Sequence, residues 1–233
     1  MTDHETVATA VDELLSTLET DDRVAFAEVG GIHRESAEVV VTGRGVRSDI
    51  EHTTVGVWCR VFADGAAAYR FSTDLSTEDL DDLAARATTG GAQLGQSTPA
   101  RVDLASLHRG VHDGWAREST STIDLETKRA TVADAVAAVD TPLDRARVVY
   151  EDRRVTATVA TTAGTVVRET LDRASLDATL VPSDADSKVR RHAGSTRGGA
   201  FLDRIPDVID DAAHDAADLA AAETTAAPTG ETT

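Results

Sequence analysis

His108 and His112 stand four residues apart in the run His-Arg-Gly-Val-His-Asp, the spacing that lets two imidazoles on one helical face share a metal ion. Two neighbours speak against that use. Arg109 occupies the place where a metallopeptidase helix carries its water-activating Glu, and Gly110 weakens the helix that would hold the pair. Without a third ligand the run reads as solvated helix. His33, His52, His192 and His214 are isolated and read as surface or hydrogen-bonded histidines. Cys59 sits among apolar neighbours in an alternating run, the setting of a small buried hydrophobe more than of a reactive thiol. Gly194 to Gly199 has glycines suited to an anion but no Gly-Lys-Ser/Thr, and reads as a flexible turn. Ser119 to Thr122 resembles no nucleophile elbow, because no Gly-x-Ser-x-Gly occurs in the chain. Acidic pairs such as Asp81-Asp82 read as solvated helix faces. No catalytic, cofactor-binding or metal-ligating residue is therefore expected here.

The elements around these residues follow from periodicity. Val7, Ala10, Val11, Leu14, Leu15 and Leu18 repeat at helical spacing after Thr2 and Glu5, a capping-box pair. Val24 to Val29 reads as a strand closed by Gly30-Gly31, and Glu38 to Thr42 as another. Val57 to Phe62 alternates with period two, Asp64-Gly65 supplies a hairpin turn, and Ala66 to Phe71 returns. Ser76 and Asp79 start a helix over Thr77 to about Ala87. Polar Gln96 to Arg101, with Pro99, marks a boundary, and Leu104 to Arg117 is ambiguous. Ser121 to Asp140 carries a helical face at Val132, Ala135, Val136 and Val139. Strand-like runs follow over 147–150, 154–161, 165–171, 175–181 and 187–192, parted by charged or glycine turns, and suggest a second antiparallel sheet. Leu202 to Ala222 closes with a helix.

The expected class is α+β, with helices packed on largely antiparallel sheets in two domains. These are an N-terminal domain over 1–95 and a β-rich middle domain over 121–222. A linker with a short helix over 96–120 joins them, and a disordered tail over 223–233 follows.

The stretch Gly56 to Leu75 resembles the N-terminal domain of the TldD/PmbA family, the modulator-of-DNA-gyrase proteins, whose characterised members are zinc metallopeptidases. The matching residues are Gly56, Val57, Arg60, Val61, Asp64, Gly65, Tyr69, Phe71, Thr73, Asp74 and Leu75. In TldD-type members the resemblance implies a His-Glu-x-x-x-His helix, with a later Cys completing the zinc site. That helix follows a segment like Ala227-Pro228-Thr229-Gly230, whereas this sequence ends at Thr233. No catalytic residue can be carried over. The expectation is the front half of a longer protein, inactive alone and serving as shell and dimerisation region. A homo- or hetero-dimer partner of TldD/PmbA type, short or unfolded peptides and zinc would then belong to the intact assembly. The rival expectation is a stand-alone binding or scaffold module.

Charge narrows the classes further. With 41 acidic against 23 basic residues the net charge is −18, which opposes direct binding of nucleic acid, whose phosphates require Lys and Arg. Dispersed acid and scarce lysine suggest a salt-adapted surface. One cysteine permits no intrachain disulfide. No apolar run is long enough to cross a membrane, and the N-terminus has no signal-peptide pattern, so a cytoplasmic location is expected.

Overall fold

The computed structural model describes residues 3–94, 109–113, 118–183 and 187–223. Its elements in chain order are α1 (Asp3–Glu19), β1 (Val24–Thr42), β2 (Gly45–Ala63), β3 (Ala66–Ser72), α2 (Thr77–Leu94), β4 (Arg109–Asp113), α3 (Leu125–Ala137), β5 (Leu143–Thr161), β6 (Val166–Pro182), β7 (Val189–Ser195) and α4 (Ile205–Glu223). The class is α+β, as expected. The strands form one hydrogen-bonded sheet in the order β3-β2-β1-β5-β6-β4, with β7 also paired to β6. The β2–β3 and β6–β7 pairs are antiparallel, and β4 runs parallel to β6.

Several expected breaks are absent. The runs expected as separate strands at 24–29 and 38–42 belong to β1, those at 147–150 and 154–161 to β5, and those at 165–171 and 175–181 to β6. Gly30-Gly31 does not end a strand; it admits neighbours. A Cβ on Gly30 would lie 2.3 Å from the Trp58 ring, and one on Gly31 2.5 Å from Val7 of α1. The expected hairpin is present, with positive φ at Asp64 (49°) and Gly65 (88°) as a two-residue turn of the primed kind requires.

By internal contact the chain divides into two units, each drawn from three segments. The first comprises Met1–Glu35, Thr53–Gly114 and Val155–Leu171; the second comprises Ser36–His52, Trp115–Arg154 and Asp172–Thr233. The four long strands β1, β2, β5 and β6 give one end to each unit, so segments distant in sequence share a core.

In the first unit α1 and α2 cover one side of the sheet. Val11, Leu14, Leu18, Leu80, Leu83 and Ala87 pack against Ala27, Val29, Val57, Cys59 and Val61. Ser76 caps α2 by accepting from the Asp79 amide at 3.4 Å. The reciprocal half of the capping box is not made, because the Asp79 carboxylate is bonded by the Ser72 hydroxyl.

In the second unit α3 and α4 cover Val39, Val41, Ala146, Val148, Tyr150, Leu176 and Leu180. The helix expected from Ser121 begins at Leu125, capped by Asp124, which accepts from the Thr127 amide at 2.7 Å. A 3-10 turn, Thr120–Thr122, precedes it.

Candidate functional site

The hairpin that carries the resemblance presents two different faces. Val57, Cys59, Val61 and Ala63 point into the first unit's core, so Gly56, Trp58, Arg60 and Phe62 point away from the helices. On β3, Phe71 is paired with Trp58 and Tyr69 with Arg60, which places both aromatics on that same face. Trp58 stacks on Tyr69 at 5.9 Å between ring centroids, Phe26 of β1 meets Phe62 at 6.0 Å, and Arg60 reaches Glu28 at 3.5 Å. Tyr69 and Phe71 remain 53% and 52% exposed. Most of the chain's few aromatic rings are thus gathered on a sheet face over which no helix lies among the described residues, where water-exposed aromatic surface favours association.

Cys59 lies on the opposite, covered face. Burial pushes its thiol up to about 11, with the nearby Arg70 opposing. At pH 8 the thiolate is a fraction on the order of one in a thousand. Ellman's reagent should therefore leave the folded chain essentially unlabelled and label one thiol after denaturation in guanidinium. Rapid stoichiometric labelling of the folded chain would make Cys59 a reactive site.

The histidines do not converge. His112 is exposed on β4, a strand paired with β6 where a helix was expected. Gly110 weakens a helix at this point, and the edge of β6 takes the segment's backbone hydrogen bonds. His108 lies outside the described residues, as do Gln96 to Arg101 and the tail beyond Glu223. His33 is buried, His52 is exposed, His192 meets Asp177 at 3.0 Å and His214 meets Asp210 at 3.7 Å. Among the described residues no three His, Cys, Asp or Glu side chains are placed to hold a metal ion. The described donors therefore do not fit zinc.

Two polar clusters in the second unit escape sequence reading. Lys128 of α3, only 2% exposed, meets Asp152 of β5 at 2.9 Å, and the Tyr150 hydroxyl donates to the same carboxylate oxygen at 2.8 Å. Burial raises the Asp152 pKa; Lys128, Tyr150 and the Ala37 amide oppose that shift. Burial also raises that of Tyr150, with the Asp152 charge adding to it. In the second cluster Asp172 of β6, 3% exposed, accepts from the Ser119 hydroxyl at 3.1 Å and from both the amide and hydroxyl of Thr120 at 3.0 Å. Arg154 of β5 approaches it at 3.4 Å and also donates to Ser119. A signal was present, because Asp152 continues the inward phase of Ala146, Val148 and Tyr150, and Asp172 that of Ala174 and Leu176. Lys128 likewise falls on the helical face of Leu125, Val132 and Ala135.

The Gly194 to Gly199 segment is tied down at its end. The Gly199 amide donates to the Glu118 carbonyl at 2.9 Å, and Gly198 takes a φ of 65°. An open cavity of about 540 Å³ beside it is lined by Ser195, Arg197, Ala200, Asp203 and Arg204.

Residues 27–89 match the sequence profile of PmbA/TldA metallopeptidase domain 1, a span that contains the aromatic hairpin and most of α2. Over this span the chain matches the first domain of the TldD/PmbA family. Solved structures of similar fold include a modulator-of-DNA-gyrase protein of Bacteroides thetaiotaomicron, with a TM-score of 0.68 and 11% identity over 90% of this chain and 49% of that one. A second modulator-of-DNA-gyrase protein, from Thermotoga maritima, gives 0.66 and 16% over 90% and 47%, and TldE of Thermococcus kodakarensis gives 0.63 and 12% over 89% and 47%. At these identities the likeness is one of fold. The chain spans about half the length of these relatives. A comparison with curated proteins gives no match.

Proposed function

We propose that this chain is the shell and dimerisation region of a TldD/PmbA-type zinc metallopeptidase, a cytoplasmic assembly that hydrolyses peptide bonds in short or unfolded peptides. The observation that carries the reading is the aromatic face of Trp58, Phe62, Tyr69 and Phe71 on the family-type hairpin, with Tyr69 and Phe71 exposed, a surface suited to a protein partner. Its role would be wall and partner contact. Zinc and the His-Glu-x-x-x-His helix would come from polypeptide outside these residues, consistent with a chain that spans half the length of its structural relatives. The partner would be a second TldD/PmbA-type polypeptide, and a homodimer and a heterodimer are both compatible with the face. The acidic surface would suit a salt-rich interior.

The test measures zinc content and peptide cleavage for this chain alone, for the zinc-motif polypeptide of the same source alone, and for their mixture, with complex formation followed by light scattering. Zinc and cleavage in the complex but not with this chain alone are expected, and Tyr69→Ser with Phe71→Ser should weaken the complex by about tenfold or more. A chain that stays monomeric in the mixture, with cleavage unaffected by its presence, would sink the proposal in favour of an independent scaffold module.

A further inference from the structure

In the second unit α3 and α4 lie on one side of the sheet, and among the described residues no helix lies on the other, the bare side. Ala146, Val148 and Tyr150 of β5 and Ala174, Leu176, Ala178 and Leu180 of β6 belong to the core. Alternation therefore turns Arg145, Arg147 and Arg153 of β5 and Arg173 of β6 to the bare side. Thr179 shares that side, and its partner on β7 is Arg190. The Arg154–Asp172 and Thr156–Thr170 contacts set the β5–β6 register, which makes Arg153 and Arg173 direct cross-strand neighbours.

Like charges facing each other weaken a sheet. Among the described residues none of these five guanidinium groups has a hydrogen bond or ion pair with another residue. The carboxylates of the same side are Glu38, Glu151 and Asp177, and Asp177 is already engaged by His192 at 3.0 Å. Acid outnumbers base 41 to 23 in the chain as a whole, yet on this face arginine outnumbers carboxylate. An excess of arginine without a described partner on one sheet face is complementary to a carboxylate-rich partner.

We infer that this face docks an extended acidic polypeptide segment lying along β5 and β6. Arg145 and Arg147 are two residues apart on one strand, a separation of about 6.8 Å, which is the repeat of alternate side chains in an extended peptide. Carboxylates on every second residue of such a segment would meet successive guanidinium forks, each of planar, bidentate geometry. Nucleic acid is the weaker fit, because a chain of charge −18 repels a polyphosphate at long range. The inference does not depend on the peptidase reading, since an acidic segment could dock here whether or not the assembly cleaves peptides.

The probe is a fluorescein-labelled peptide of about twelve alternating Glu and Ser residues, long enough to span the strands. Binding to the full chain is followed by fluorescence anisotropy at low and high salt. A Lys-Ser peptide and a single-stranded DNA oligonucleotide serve as comparisons. Salt-sensitive binding of the acidic peptide alone is expected, weakened about tenfold or more by Arg147→Ser/Arg153→Ser/Arg173→Ser and less by the three Arg→Lys changes, which keep the charge but lose the bidentate fork. Arg86→Ser on α2 should have no effect. Arg147→Ser alone, at an exposed position, carries the same test at smaller amplitude if the triple variant folds poorly. Absence of acidic-peptide binding, equal binding by the Ser variants, or tighter binding of the oligonucleotide would each overturn the inference.

Discussion

Lys128→Met is expected to cost the second unit about 3–5 kcal/mol, because it leaves the Asp152 carboxylate buried without its counter-charge. Asp152 is 5% exposed and keeps only the Tyr150 hydroxyl and the Ala37 amide as donors. Adding Asp152→Asn should recover most of the loss. The amide oxygen still accepts from Tyr150, and no lone charge remains. Urea denaturation of the native chain, the single variant and the double variant measures both terms, and an unrecovered double variant would locate the cost in packing. The pH dependence has a defined sign. The folded Asp152 pKa is already raised by burial, so the folded state holds this proton more tightly than the unfolded one. Its contribution to stability is full below the ordinary carboxylate range and is lost as pH rises through the folded value. Removing Lys128 raises the folded value further, so the deficit of Lys128→Met should grow from acidic toward neutral pH. A pH-independent deficit would show that charge is not its origin.

Asp172→Ala is expected to cost about 3–4 kcal/mol, since one carboxylate there satisfies several donors at once. Thr120 is 1% exposed, and both its amide and its hydroxyl bond the same oxygen of Asp172. With that oxygen gone, two buried donors are left without a partner at about 1–3 kcal/mol each. Asp172→Asn retains an acceptor and should lose about half as much, keeping the Thr120 bonds but weakening the approach of Arg154. Chemical denaturation separates the two variants. Equal losses would mean that the charge, and not the acceptor, is what the site requires.

Both clusters show where sequence reading stopped. Glu151-Asp152-Arg153 and Asp172-Arg173 read as charged turns between short strands, because charged residues rarely lie inside a sheet core. The structure keeps the strands continuous and buries Asp152 and Asp172 beside partners from α3 and from the Thr120–Thr122 turn. A single strand cannot reveal that compensation. The partner lies about twenty residues away for Asp152 and about fifty for Asp172, on elements whose placement depends on the whole fold.

The sequence by itself determined the local elements and the resemblance to a TldD/PmbA first domain. The helical stripe from Val7 to Leu18, the Asp64-Gly65 turn and the alternating Trp58 hairpin each follow from short-range periodicity and backbone preference, and all three are present. The α+β class followed from these, and so did the resemblance that the profile match over 27–89 bears out. Only the tertiary structure decided that four long strands supply both units and that the two units are interleaved along the chain. It alone decided that Gly30 and Gly31 make room for Trp58 and α1, and that five arginines with no partner among the described residues share one face. The physical reason is range: turns and stripes are set by neighbours within a few residues, whereas strand continuity, close approach and charge compensation are set by contacts that exist only once distant segments have packed.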